Sequence, residues 1–324
     1  MTTIRGWAWL ALLALTMVTS GARAQTALTF AWNPSPETLQ VAQAVDVELW
    51  KGAGLDIKLV AFPTGREAFE ALLGGQVDVA AMAEFPAVTG ALRAQRFRVI
   101  ADVSRYKRNR LIATAKKIDL SSLADLAGRK IGTTLGTNVD FLANLMLTRA
   151  GVSAEIVNAG PADLVPALVR GDIDAAVPFP NFYIAAKKTL GDAYREIVSP
   201  DYYMHFIIAA SADALDKRSK TVEQFLAVLV KADQQVAADP SNAQAALARA
   251  MHGLLDLEAI KAVQPEYEYR VTLDTGLLDL MVEEGAWIVK RGLVKVETAD
   301  AKTFRAYLDE APLKTVAADR VRLP

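Results

Sequence analysis

Short apolar runs alternate with segments of helical period along the first two-thirds of the chain. Leu28–Trp32 is apolar with little alternation and predicts a buried first strand, which Asn33-Pro34-Ser35-Pro36 cannot continue. A helix follows over about Glu37–Trp50, stopped by Gly52 and Gly54. Leu55–Phe62 alternates apolar and polar positions up to Val60, the pattern of a strand covered mainly on one face. Gly65–Leu73 predicts a helix, Val77–Met82 a strand, Phe85–Gln95 a helix and Phe97–Val103 a strand. This β-α-β-α-β order predicts a parallel sheet with helices on both faces.

At Ser104–Arg110 (SRYKRNR) the composition turns polar and basic, which fits a crossover between domains, a solvated loop, or both. A second series then begins with strand Leu111–Ala115, a short helix Ser121–Leu126, strand Lys130–Thr134 and helix Val139–Ala150. Strand Ala154–Val157, helix Ala162–Arg170 and strand Ile173–Val177 complete it. Asp201–Ser211 predicts a strand returning the chain to the first lobe. Beyond Ala212 the pattern is almost entirely helical: Val222, Phe225, Leu226, Leu229 and Val230 share one face, and Leu273–Arg291 is a long helix ended by Gly292. Such a tail wraps the first lobe more readily than it forms a domain of its own.

The two series echo each other. Glu70–Pro86 and Pro166–Asn181 match with Gly75 against Gly171, Asp78 against Asp174 and Ala80 against Ala176, a constant offset of 96 residues. Leu28–Ser35 and Lys130–Asn138 are likewise each a strand, a polar loop and a helix start. Two similar α/β lobes follow, each presenting strand-end loops. In open α/β sheets small molecules bind outside the carboxyl ends of the strands, so the aromatic exit Pro178–Asn181 is a candidate ligand loop.

The N-terminus reads as an address. Arg5 precedes an apolar core of 13 residues, Gly6–Val18, and Ala22-Arg23-Ala24 is a cleavage site, so residues 1–24 are expected to be a signal peptide cleaved after Ala24. The run is too short to span a bilayer, and direct membrane insertion after cleavage is not expected. The full chain carries a formal charge of −1, and removing Arg5 and Arg23 makes it about −3, so nucleic acid is not an implied partner. The absence of cysteine excludes disulfides, thiolate metal sites, Cys nucleophiles and a lipid-modified N-terminal Cys.

The usual catalytic signatures are missing: there is no G-x-S-x-G, H-E-x-x-H, P-loop or G-x-G-x-x-G. His205 and His252 are the only histidines, so neither a metal nor a cofactor is expected.

Asp125–Asn138, DLAGRKIGTTLGTN, resembles the D-L-x-G-K-K-I-G-x-x-x-G-[ST] run of periplasmic substrate-binding proteins of ABC importers. The nearest branch is that of nitrate, sulfonate and taurine binding proteins, related to the thiamine-pyrimidine-precursor proteins. Ala71–Asp78 and Arg170–Ala175 (RGDIDA) match as well. The resemblance implies a two-lobed type II fold, each lobe a mostly parallel sheet flanked by helices, with a helical C-terminal segment packed on the first lobe. Residues 25–108 and 206–324 would form lobe 1 and residues 109–205 lobe 2. It further implies a monomeric, non-catalytic receptor that closes over a small polar ligand and docks on the membrane subunits of an ABC permease. An enzyme of the pyrimidine-precursor type, which would use a Cys-rich iron motif, and an extracytoplasmic sensing protein are the alternatives.

Candidate ligand residues come from the strand exits. Thr137 and Asn138 open a helix whose free N–H groups favour an anion such as sulfonate or carboxylate, although either residue could serve simply as a cap. Trp32 and Asn33 leave the first strand; Phe179, Asn181 and Phe182 leave the last strand of the second series. Glu84 and Phe85 leave the strand equivalent to it in the first series. A Glu84 carboxylate there would face either a ligand ammonium or ring N–H, or Arg105. On the first reading a zwitterion or nitrogen heterocycle is favoured, and Glu84→Ala would weaken binding without unfolding the protein. His205, beside Tyr202 and Tyr203, is either a core imidazole or a ligand contact.

Overall fold

The computed structural model describes residues 26–324, so the proposed signal segment and its cleavage site lie outside the described residues. Strands β1 (Thr26–Ala31), β2 (Leu55–Val60), β3 (Val79–Ala83) and β4 (Phe97–Tyr106) alternate with helices α1 (Leu39–Asp46), α2 (Leu49–Gly52), α3 (Gly65–Leu73) and α4 (Phe85–Leu92). The second series is β5 (Arg110–Thr114), β6 (Lys130–Thr133), α5 (Asn138–Ala150), β7 (Glu155–Asn158), α6 (Leu164–Arg170), β8 (Ala175–Val177), α7 (Tyr183–Leu190) and β9 (Tyr194–Val198). The chain returns through β10 (Met204–Ser211) to α8 (Ala212–Ala238), α9 (Ser241–Ala250), α10 (Leu257–Val263), β11 (Tyr267–Asp274) and α11 (Thr275–Lys290). Two short helices and β12 (Val321–Arg322) follow.

The strands form a seven-stranded sheet, β12-β11-β4-β10-β3-β1-β2, and a five-stranded sheet, β7-β6-β8-β5-β9. Membership changes at residues 107–109 and 199–203, so two connections join the sheets. Strands β1, β2 and β3 pair in parallel as their β-α-β spacing dictates. The returning β10 inserts antiparallel between β3 and β4, which makes the first sheet mixed rather than parallel.

The echo is structural. Asp78 and Asp174 stand at the same point, each just before its strand. The Asp78 N–H donates to Thr29 O and its Oδ2 accepts from Thr29 N–H, both at 2.9 Å. The Asp174 N–H donates to Lys130 O at 2.8 Å and its Oδ2 accepts from Lys130 N–H at 2.9 Å. Gly75 and Gly171 precede them at φ +72° and +81°, a left-handed turn that only glycine takes without strain. Each lobe thus pins its central strand to its neighbour with one carboxylate. Asp78 also pairs with the half-buried Arg218 of α8. Asp174→Ala is therefore expected to cost about 1 kcal/mol and Asp78→Ala about 2 kcal/mol or more, read as shifts of the urea midpoint.

The helix expected over Glu37–Trp50 is broken at Glu48, whose φ is +48°. The break turns Trp50 inward, where it stacks on Phe225 of α8 at 5.3 Å between ring centroids. The basic stretch is only partly a loop. Arg105 lies in β4, and Arg110 is buried with a paired Glu266 and Glu196 beside it. The C-terminal region is less helical than expected: YEYRVTLD forms β11, antiparallel to β4. Its alternation of aromatic or β-branched and charged residues is a strand pattern set among helices. Edge strand β9 and helix α7 also went unpredicted. Among the described residues no helix is long and apolar enough to cross a membrane.

Candidate ligand-binding site

A cleft of about 320 Å³ opens between the two sheets, at the carboxyl ends of β1, β3, β6 and β8. Trp32 and Asn33 enter it from β1; Thr137 and Asn138 from the start of α5; Phe179, Asn181 and Phe182 from the loop after β8. Seven sequence-selected residues from both lobes therefore share one cavity.

Each wall has a local cause. Asn33 spends its amide on the neighbouring loop: Oδ1 accepts from Phe62 N–H at 3.0 Å and Nδ2 donates to Phe62 O, clamping the exits of β1 and β2 together. Trp32 Nε1 donates to Thr38 Oγ1 at 2.8 Å, which satisfies the indole and leaves its ring as apolar wall. Thr137 Oγ1 donates to Thr134 O at 2.7 Å, and Asn138 Nδ2 lies 3.1 Å from Met204 Sδ. These side chains shape the turn; Asp140 N–H donates to Thr137 O at 3.1 Å, while the N–H groups of Asn138 and Val139 precede the first turn's acceptors.

Two charged residues that sequence reasoning passed over also line the cleft. Arg66, in the first turn of α3, donates from Nη1 to Leu135 O at 3.1 Å and so reaches from one sheet's lobe to the other. Among the described residues it is the only Arg or Lys in the lining. Its signal was present as Thr64-Gly65-Arg66-Glu67, a capping box in which Thr64 Oγ1 accepts from Glu67 N–H at 3.2 Å. That box fixes residue 66 at the strand-exit end of the helix. Glu37 lies in the floor, and burial pushes its carboxyl above the usual range against weaker hydrogen bonds that pull it down. Its Oε1 accepts from Tyr267 O–H at 3.4 Å.

Glu84, Phe85, Arg105 and His205 do not join the lining. Glu84 precedes α4 with helical backbone (φ −65°, ψ −35°), which turns its side chain beneath the sheet end, where it is fully buried. Tyr202 O–H donates to its Oε1 and His205 N–H to its Oε2, the latter at 3.0 Å. It does not pair with Arg105, which is taken by Asp102 at 3.2 Å and Asp274 at 2.5 Å. His205 is a core imidazole with Nδ1 2.7 Å from Asp102 Oδ2. Burial lowers its pKa, but the Asp102 carboxylate outweighs that and holds it above the usual value. Phe85 packs on Phe141 and Trp287 at 6.1 and 5.9 Å. Placed outside the lining, Glu84 gives no support to an ammonium ligand.

Two helix-flanked sheets around a cleft of strand-end loops are the fold of the periplasmic binding proteins. The periplasmic aliphatic sulphonate binding protein SsuA from Escherichia coli superposes with a TM-score of 0.73 at 19% identity, covering 88% of this chain and 92% of that one. A profile described as NMT1/THI5 like matches residues 36–243, well over half of the sequence, and the chain belongs to that family. The taurine-binding periplasmic protein of Escherichia coli is 28% identical over 152 residues, 46% of this chain and 47% of that protein. A Haemophilus influenzae protein whose name proposes a part in thiamine biosynthesis is 32% identical over 141 residues, 41% of this chain and 44% of its own length. The chain thus spans only 44% to 64% of the curated relatives it matches. The desulfurization enzyme DSZB shares the fold too, with a TM-score of 0.68 at 15% identity over 91% of this chain and 99% of that one, so fold alone leaves the activity open.

Proposed function

We propose that the protein is a non-catalytic periplasmic receptor for a small organic anion, a sulfonate or carboxylate with an apolar body. The observation that carries this reading is the facing of Arg66 and the N-terminus of α5 across a cleft walled by Trp32, Phe179 and Phe182. A guanidinium and a helix dipole both favour negative charge, and the aromatic walls desolvate the remainder of the ligand. Among the described residues Glu37 is the one acidic residue in the lining, and burial disfavours its charged form, which lessens its opposition to an anion. Among the described residues no histidine lines the cleft, so a hydroxyl there has no imidazole base to activate it.

Several further parts of the reading rest on membership of the family. Residues 1–24 are removed on export; residues 25–108 with 206–324, and residues 109–205, move as two bodies. Closing them over the ligand presents a surface to an ABC permease. The taurine and sulphonate relatives support this ligand class, and the two connections between the sheets support the hinge.

A thermal-shift panel of alkyl and aryl sulfonates, taurine, carboxylates, nitrate, amino acids and pyrimidines tests it. A ligand at about a thousand times its Kd stabilises the folded state by about 4 kcal/mol. Organic anions are expected to raise the melting temperature and purely cationic compounds are not. A response confined to cations or neutral heterocycles would overturn the proposed ligand class.

A further inference from the structure

A second cavity, of about 560 Å³, lies beyond the Arg66–Leu135 bridge, and Arg66 and Pro86 face both spaces. Its walls come from both sheets' lobes: Phe69, Phe85 and Arg93 from α3 and the α4 region, Leu135 and Asp140 from the β6 exit and α5, Trp287 and Arg291 from the end of α11. The volume falls in the range of small-molecule sites.

Two features distinguish it from a packing void. The first is an aromatic wall that goes on to solvent-facing apolar residues: Phe85 and Trp287 meet at 5.9 Å, while Leu135 and Leu293 line the same space at 39% and 51% exposure. Water meets apolar surface there that a ligand would cover. The second is charge. Among the described residues Arg93 has no ion-pair partner, and Arg291 lies over the Trp287 ring at 5.7 Å with no carboxylate in ion-pair reach. Of the two acids in the lining, Asp140 feels the charge of Arg291 without forming an ion pair, and both acids are held by nearer groups. Asp140 Oδ2 accepts from Gly136 N–H at 3.0 Å and Oδ1 from Asn144 Nδ2 at 3.0 Å, while Glu70 stands 3.7 Å from Arg66.

We propose that this cavity is a second ligand site, one that takes an amphipathic anion. A flat apolar body lies against Phe85 and Trp287, and its acidic group meets Arg93 and Arg291. A molecule held there touches both lobes at once. The assignment does not rest on the identity of the first cleft's ligand, although Arg66 and Pro86 line both spaces.

Titration with the fluorescent probe anilinonaphthalene sulfonate, an aromatic anion small enough for this volume, tests the assignment. In the Phe179→Ala background, where the first cleft is weakened, a saturable class of sites is expected to remain, with affinity lowered about tenfold or more when Arg93→Gln and Arg291→Gln are added. Arg93 and Arg291 are exposed, so these substitutions leave folding intact, which circular dichroism checks. Trp287→Leu in the same background is expected to weaken the probe as well. A saturable class in that background that ignores the arginine substitutions, or the loss of all saturable binding in Phe179→Ala alone, would overturn the assignment and place the probe elsewhere.

Discussion

Glu84→Ala is expected to lower the melting temperature by roughly 6–10 °C. The alanine leaves Tyr202 O–H and His205 N–H buried without acceptors, a loss of about 3 kcal/mol. Tyr202 belongs to the second connection between the sheets, so the lost contact also loosens one of the two joints between the lobes. This reverses the sequence-based expectation for the same variant, which placed the effect on binding and not on stability. Glu284 of α11 sharpens the case. It is fully buried, and among the described residues its carboxyl oxygens meet no donor. Burial first, and then the Glu84 charge beside it, hold Glu284 well above the usual carboxylate range; burial raises Glu84 as well. Two carboxyls in such contact need a proton between them.

The sign of the pH dependence follows. Groups with raised pKa bind protons more tightly folded than unfolded, so their contribution is greatest below the ordinary carboxylate value. Stability then declines as pH rises from that value toward the folded-state pKa. Glu284→Gln puts an amide N–H donor where the protonated carboxyl offered an O–H, and removes one titrating group. Its stability is expected to fall less between pH 5 and 8 than that of the wild type, measured by urea unfolding at each pH.

The second large effect is on binding. Arg66→Ala is expected to weaken the anion found in the thermal-shift panel by about 10–100-fold, the worth of a charge-assisted hydrogen bond. Arg66 is exposed and its nearest carboxylate, Glu70, is 3.7 Å away, so the unliganded protein should lose no more than about 1 kcal/mol. Arg66→Lys retains the charge without the planar fork and should fall between the two. A calorimetric titration checks all three proteins. Equal affinities would remove Arg66 from the site.

The legible part of the fold is the part governed by local pattern. Asp78 and Asp174 showed as an echo because the same turn, carboxylate and strand recur within a few residues of each other. Trp32, Phe179 and Phe182 could be placed because a strand exit in an α/β unit has a fixed destination. The fate of Glu84 was illegible for the opposite reason. Its partners Tyr202 and Glu284 are 118 and 200 residues away, and a helical ψ at residue 84 decides which way the carboxyl points. Arg105 had the same difficulty, since Asp274 lies on a strand embedded among helices. Once β11 is read as helix, the carboxylate that claims Arg105 is lost from view. Arg66 was legible and passed over: the capping box around it marks a helix start, and helix starts face the cleft.

The most direct test of the receptor reading is a calorimetric titration of the wild type and Phe179→Ala with the organic anion that gives the largest melting shift. A receptor predicts one molecule bound per chain, no heat flow once injection has equilibrated, and affinity lower by about tenfold or more in the variant. Sustained heat from turnover, or binding that Phe179→Ala leaves untouched, would contradict a non-catalytic site in the cleft between the lobes.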